Sequence, residues 1–151
     1  MAKLDFFHTK HGFILFYNLD TAVGKGCPNQ RDDVLLVQYM MMVNSQSPPG
    51  RISLSAASIS GLWDTYWDGY LDYYQNEWKK AGVPTWQDRR IDPALPAKNK
   101  GRGPLHHTQY KILTLNVSYA ERRPTDFSRM AEAKDCPGAL RSAIRVQWVK
   151  G

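Results

Sequence analysis

The sequence predicts a mainly helical α+β domain, with three or four helices around one core and a small N-terminal β-hairpin. Three observations lead there. Segments 31–44 and 64–81 carry apolar residues at helical spacing. Residues 4–8 and 12–18 are two short runs rich in Phe, Ile, Leu and Tyr, parted by a turn signal at His11-Gly12. The length, 151 residues, is that of one ordinary domain, so residues 1–151 are read as a single unit. A chain of this size buries roughly 68–70% of its unfolded surface and needs no metal or disulfide to fold.

The elements follow in order. After the hairpin, Asp20 to Gln30 reads as a Gly/Pro/Asn loop. A helix over Arg31 to Asn44 has Asp32 and Asp33 in its first turn, where acids suit the helix dipole. Val34, Val37, Gln38, Met41 and Met42 keep helical spacing, and Leu35 and Leu36 widen the apolar face. Asn44 to Ser60 is a Ser/Pro/Gly-rich loop that touches a strand at Ile52 to Leu54. The second helix starts at Asp64 or Thr65 and ends at Ala81, with Asp64 as N-cap and Gly82 just past the end. Trp67, Leu71, Tyr74 and Trp78 define one face, and Tyr66, Tyr70 and Tyr73 a neighbouring stripe. Gly69 inside this helix suggests a close helix contact. Residues 83–104 read as a loop with four Pro and two Gly. Leu105 to Glu121 fits a strand by alternation and a helix by spacing; helix is favoured, ended by Pro124. A last helix starts at Pro137 and covers Gly138 to Ile144. Arg145 to Val149 then reads as a strand returning to the hairpin.

Composition narrows the function. Apolar residues make up 42%, too many for a disordered chain. Five Trp and eight Tyr exceed what a core needs, which puts some of them in a groove or on a contact surface. The net charge of +6 favours negatively charged partners. The cations are spread, with Arg89, Arg90, Lys98, Lys100 and Arg102 in one loose group and Arg122 and Arg123 in another. Nucleic acid is therefore not expected as a partner, since a dedicated nucleic-acid arm is denser. No apolar run approaches the roughly 18 residues of a membrane span, so no membrane insertion is expected. Residues 1–5 lack signal-peptide character, so synthesis in the cytoplasm is expected. Action at the periplasm or wall would then need a dedicated machine or lysis. Cys27 and Cys136 are far apart and read as two free thiols.

Several segments together resemble a known family. Val34-Leu35-Leu36-Val37-Gln38 resembles the hydrophobic-x-x-hydrophobic-Gln signature of small peptidoglycan-binding domains. Gly61-Leu62-Trp63-Asp64-Thr65, followed by Leu71-x-x-Tyr74-Gln75, is similar to that family's Gly-aromatic turn and its helix ending in aromatic-Gln. Asp88-Arg89-Arg90-Ile91-Asp92-Pro93 is similar to its Asp-Gly-x-hydrophobic-x-Pro turn, with Arg89 in place of the glycine. The resemblance covers residues 31–120, a peptidoglycan-binding-like helical core. It implies a bacterial, non-catalytic binding module whose partner is peptidoglycan or another cell-wall polymer. The alternative is a structural or adaptor protein of a phage-like or secretion assembly, which uses this fold to hold another protein. The long loops at 44–60 and 83–104 fit that alternative.

The ligand site is expected where the loops flanking the second helix meet, at Trp63, Asp64, Tyr66, Trp86, Asp88 and Arg90. The rings offer flat apolar area, the acids accept from sugar hydroxyls or peptide amines, and Arg90 forks a carboxylate. Gln38 and Gln75 are given structural roles, since buried amides usually bond backbone. No catalytic residue, metal or cofactor is assigned. His8, His11, His106 and His107 do not make a zinc ligand set with either cysteine. Cys27 with His106 or His107 as base lacks a thiol-hydrolase signature. Gly24-Lys25-Gly26 lacks phosphate-loop spacing. Asp64, Asp68 and Asp72 fall at i, i+4 and i+8 and read as a solvated stripe.

Overall fold

The computed structural model describes residues 3–9, 12–45, 54–55, 58–83, 85, 87–94 and 110–150. Strands β1 (Lys3–Thr9) and β2 (Gly12–Asn18) form the N-terminal antiparallel hairpin, with Leu4 opposite Tyr17 and Phe6 opposite Leu15. Two-residue strand β3 (Val23–Gly24) follows. Helices α1 (Arg31–Ser45) and α2 (Thr65–Lys80) come next, then strand β4 (Arg90–Ile91). Helix α3 (Lys111–Arg122), a 3-10 helix over Phe127–Glu132 and helix α4 (Gly138–Lys150) complete the chain. The described residues are thus mainly helical, as the sequence predicts.

Helix α1 is the centre of the molecule. The sequence suggests one apolar face, but every residue from Asp33 to Ser45 is buried. A helix that is apolar on all sides belongs inside a core. It packs against α3, α4 and β3. Its buried polar groups are all bonded, as burial demands. Asp33 accepts from the Asp20 and Thr21 amides, both at 3.0 Å, and so ties the preceding loop to the first turn. Ser45 Oγ accepts from the Leu54 amide at 2.9 Å. Tyr39 donates to Asp135 Oδ1 at 2.6 Å, and Arg123 clasps both oxygens of that carboxylate at 2.8 and 2.7 Å.

Asparagine amides supply strand-like pairing where no strand lies. Asn116 on α3 accepts from the Tyr17 amide at 2.7 Å and donates to its carbonyl at 2.8 Å, fastening β2 to the helix. Asn18 brackets the backbone of Ala94 in the same two-pronged way, at 2.9 and 3.0 Å. Tyr17 itself donates to the Phe127 carbonyl at 2.6 Å and stands edge-on to the Phe127 ring.

Five sequence expectations need correction or placement. The tail after Ile144 is not a returning strand: α4 runs on to Lys150 and packs beside β1. A growing helix adds one hydrogen bond per residue and pays no second nucleation cost, so it outlasts a strand-like pattern. Gly69 makes no close helix contact among the described residues, of which a Cβ there would meet none within 4 Å. The two loops flanking the helices are not structureless, since β3 pairs antiparallel with β4. Gly24 permits that pairing: its φ is +140°, and a Cβ would run into the Arg89 carbonyl and Arg90 Cα. The supposed strand at 52–54 lies mostly outside the described residues, and Leu54 belongs to no strand. The ambiguous segment settles as helix over 111–122.

Candidate functional site

Helix α2 is built with two unlike faces. Trp67, Leu71, Tyr74 and Trp78 are buried, as their spacing predicts. The other side carries Tyr66 at 55% exposure, with Tyr70 and Tyr73 half-buried. Just before the helix, Leu62 is 70% exposed and Trp63 half-buried. Asp64 caps the helix by accepting from the Trp67 amide at 3.1 Å.

The rings near this end form a continuous cluster. Trp63 lies 6.1 Å from Trp67, and Tyr66 meets Trp67 edge-on. Tyr66 and Tyr70 are one turn apart, with centroids at 4.7 Å and hydroxyls at 2.8 Å. Burial and the bond to Tyr66 push the Tyr70 hydroxyl up to about 12, so it stays protonated at neutral pH. Trp63 donates its indole N–H to Asp68 Oδ1 at 2.5 Å. Tyr70 and Asp68 were not among the expected ligand residues. The i, i+4 spacing from Tyr66 was the signal for Tyr70; the Trp63–Asp68 bond had no comparable signal.

The second half of the expected site sits on the turn leading into β4. That turn lies against the middle of α2. Gln75 accepts from the Arg89 amide at 3.2 Å, and Arg89 pairs with Asp72 at 3.7 Å. Arg89 has φ +53°, a left-handed conformation that a side chain adopts at some cost. Arg90 gives both Nε and one terminal nitrogen to Asp92 Oδ1, at 3.0 and 2.8 Å. Its charge is stabilised accordingly. Asp88 pairs with Lys111, whose side chain is 4% exposed, and Lys111 also donates to the Arg90 carbonyl at 2.7 Å. Burial lowers the Lys111 ammonium below its ordinary value despite that partner.

Of the six expected ligand residues, Trp63, Asp64 and Tyr66 belong to the head of α2, and Asp88 and Arg90 to the β4 turn. Trp86 lies outside the described residues. No hydrogen bond, ion pair or ring contact joins the two groups among the described residues. Cys27 lies within electrostatic reach of Asp68 on α2 and of Asp88, Arg90 and Asp92 on the turn. Burial pushes its thiol up, which lowers its thiolate fraction. The acidic stripe is not merely solvated: Asp64 caps, Asp68 holds Trp63, and Asp72 holds Arg89.

Gln38 is bonded to the turn that precedes α2. Its Oε1 accepts from the Ser60 and Gly61 amides at 3.0 and 2.9 Å, and its Nε2 donates to the Leu62 carbonyl at 2.8 Å. Gly61 takes φ +77° there, and a Cβ would press on the Arg31 side chain. Both helix-borne glutamines thus fasten the turns that carry the expected site. His106, His107 and His11 lie outside the described residues, and no group of three or more metal-ligating side chains occurs among those described. No helix among the described residues is long and apolar enough to cross a membrane. Compared with protein-family models, curated proteins and solved structures, the chain matches none.

Proposed function

We propose that the chain is a non-catalytic binding module for peptidoglycan or a related cell-wall polymer, held at the head of α2. The observation that carries this reading is the open ring cluster of Tyr66, Tyr70 and Trp63 beside Asp68. Sugar faces rest on exposed rings, and the two phenol oxygens accept or donate to sugar hydroxyls. Asp88 and Arg90 are committed to Lys111 and Asp92, so they are not part of this first grip. Two local features support the family resemblance. Gln38 and Gln75 each bond the turn that the resemblance names. Arg89, which stands where the family carries glycine, has the positive φ that glycine adopts freely.

The test is sedimentation with insoluble peptidoglycan. The wild-type chain is expected in the pellet, and Tyr66→Ala at least tenfold less so. A chain that stays in solution with every wall preparation overturns the reading. One feature favours the alternative of an adaptor in a phage-like or secretion assembly. Leu62, at 70% exposure, adjoins the ring cluster, and an aliphatic side chain suits a protein surface better than a sugar. A stable oligomer on size-exclusion chromatography, with no wall binding, selects this second reading.

A further inference from the structure

A separate cleft opens at the far end of α2, where its last turns meet the end of α1 and the end of α3. Its volume is about 290 Å³, at the lower edge of the roughly 300–1,000 Å³ found for small-molecule sites. Asn44, Glu77, Trp78, Lys80, Ser118 and Arg122 line it. Tyr74 and Trp78 stack at 6.2 Å and 29° and give it a flat apolar side.

Arg122 is the organising group. Its Nε donates to the Asn44 carbonyl at 3.0 Å and to Asn44 Oδ1 at 3.1 Å. That bond fixes the plane of the guanidinium. The two terminal nitrogens have no acceptor among the described residues. Neither does the indole N–H of Trp78, a residue only 7% exposed, nor the hydroxyl of Ser118, one turn before Arg122. Donors free of any acceptor among the described residues thus line a hollow of ligand size that solvent reaches.

The sign of the charge follows from the lining. Arg122 and Lys80 bring two positive charges, and Glu77, paired with Lys80 at 3.4 Å, brings one negative. Helix ends would oppose an anion through their free carbonyls. Here the end of α1 is covered by Arg122 itself. At the end of α2, the Ala81, Gly82 and Val83 amides donate to Glu77, Lys79 and Trp78 carbonyls. A held guanidinium plane matches the two oxygens of a carboxylate, and the net single positive charge of the lining suits an anion of one charge.

We propose that this cleft is a binding site for a small carboxylate with a flat or apolar body. The carboxylate pairs with Arg122, and the body lies against Trp78 and Tyr74. This inference does not rest on the wall-binding reading, because the cleft and the ring cluster lie at opposite ends of α2.

The test titrates the intact chain with benzoate and with benzamide, which has the same shape and no charge. The ¹⁵N-resolved indole signal of Trp78 reports the cleft directly. Benzoate is expected to move that signal to saturation, and benzamide to bind at least tenfold more weakly. N-acetylphenylalanine, which presents a peptide's terminal carboxylate, separates the two sources of the ligand. If it binds more tightly than benzoate, the site takes peptide ends; if more weakly, free small acids. Arg122→Lys keeps the charge, loses the fork and is expected to weaken benzoate at least tenfold. Lys80→Ala, at the exposed rim, leaves the fold intact and weakens benzoate a few-fold. Tyr66→Ala leaves benzoate binding unchanged. Equal response to benzoate and benzamide, or no saturation with either acid, overturns the proposal without recourse to any variant. So does unaltered benzoate binding by a folded Arg122→Lys.

Discussion

Helices α1 and α2 are almost equal in length, 15 and 16 residues, yet they do opposite things. Every residue of α1 after its first two is buried, and its polar side chains are spent on fastening loops. Helix α2 buries Trp67, Leu71, Tyr74 and Trp78 and leaves Tyr66 half in water. The lesson is about division of labour. A helix surrounded by the rest of the chain has no surface left to offer a partner. A helix laid over it with large rings on both sides has one face for the core and one for something else. Both candidate sites lie on α2, one at each end.

The comparison breaks most visibly at Trp67. Trp67→Ala is expected to cost about 3–5 kcal/mol in urea unfolding, the range for a large buried ring. A loss under about 1 kcal/mol would mean that α2 is only loosely seated on the core. Gln38→Leu on α1 comes next. It leaves the Ser60 and Gly61 amides without their acceptor, at about 2–4 kcal/mol. Wall binding should fall with it, because the turn before α2 loses its anchor. Unchanged unfolding would show that water replaces the glutamine.

The outward hold of α1 through Tyr39 and Asp135 gives a pH signature. Arg123 holds the Asp135 carboxyl below its usual range. A depressed carboxylate adds stability above its unfolded value, near pH 4, and that stability is lost as pH falls through the folded value. Asp135→Asn should therefore flatten the acid limb of the stability profile and cost about 1–3 kcal/mol at neutral pH. An acid limb as steep as the wild type's would assign it to other carboxylates.

Smaller effects sharpen the open face of α2. Gly69→Ala should raise stability by about 0.5–1 kcal/mol, since the helix gains an alanine and the new methyl meets nothing. Destabilisation there would reveal a contact on this face. Tyr66→Ala should change stability by less than about 0.5 kcal/mol while reducing wall binding. A stability loss close to that of Trp67→Ala would erase the distinction between the two faces.

What the sequence determined by itself was local. The spacing of Trp67, Leu71, Tyr74 and Trp78, the cap at Asp64 and the stop at Gly82 place α2 to within a residue, because each signal acts within a turn of helix. The apolar run from Val34 to Val43 announces α1 for the same reason. What only the tertiary structure decided was anything joining distant residues. Strands β3 and β4 are two residues long, too short to show a period, and their pairing depends on Gly24 letting Arg89 approach. The expected site divided into two groups because Lys111 and Asp92 claim Asp88 and Arg90, and no spacing in the chain foretells which charge will reach which partner. Val146, Trp148 and Val149 look strand-like by residue type, but the helix already running from Gly138 carries them along. The Arg122 cleft likewise exists only where three helix ends meet, so nothing near Arg122 in the chain marks it. Periodicity and caps act over a few residues and can be read directly, whereas burial on all sides, charge pairing and clefts are properties of neighbours that the folded chain alone brings together.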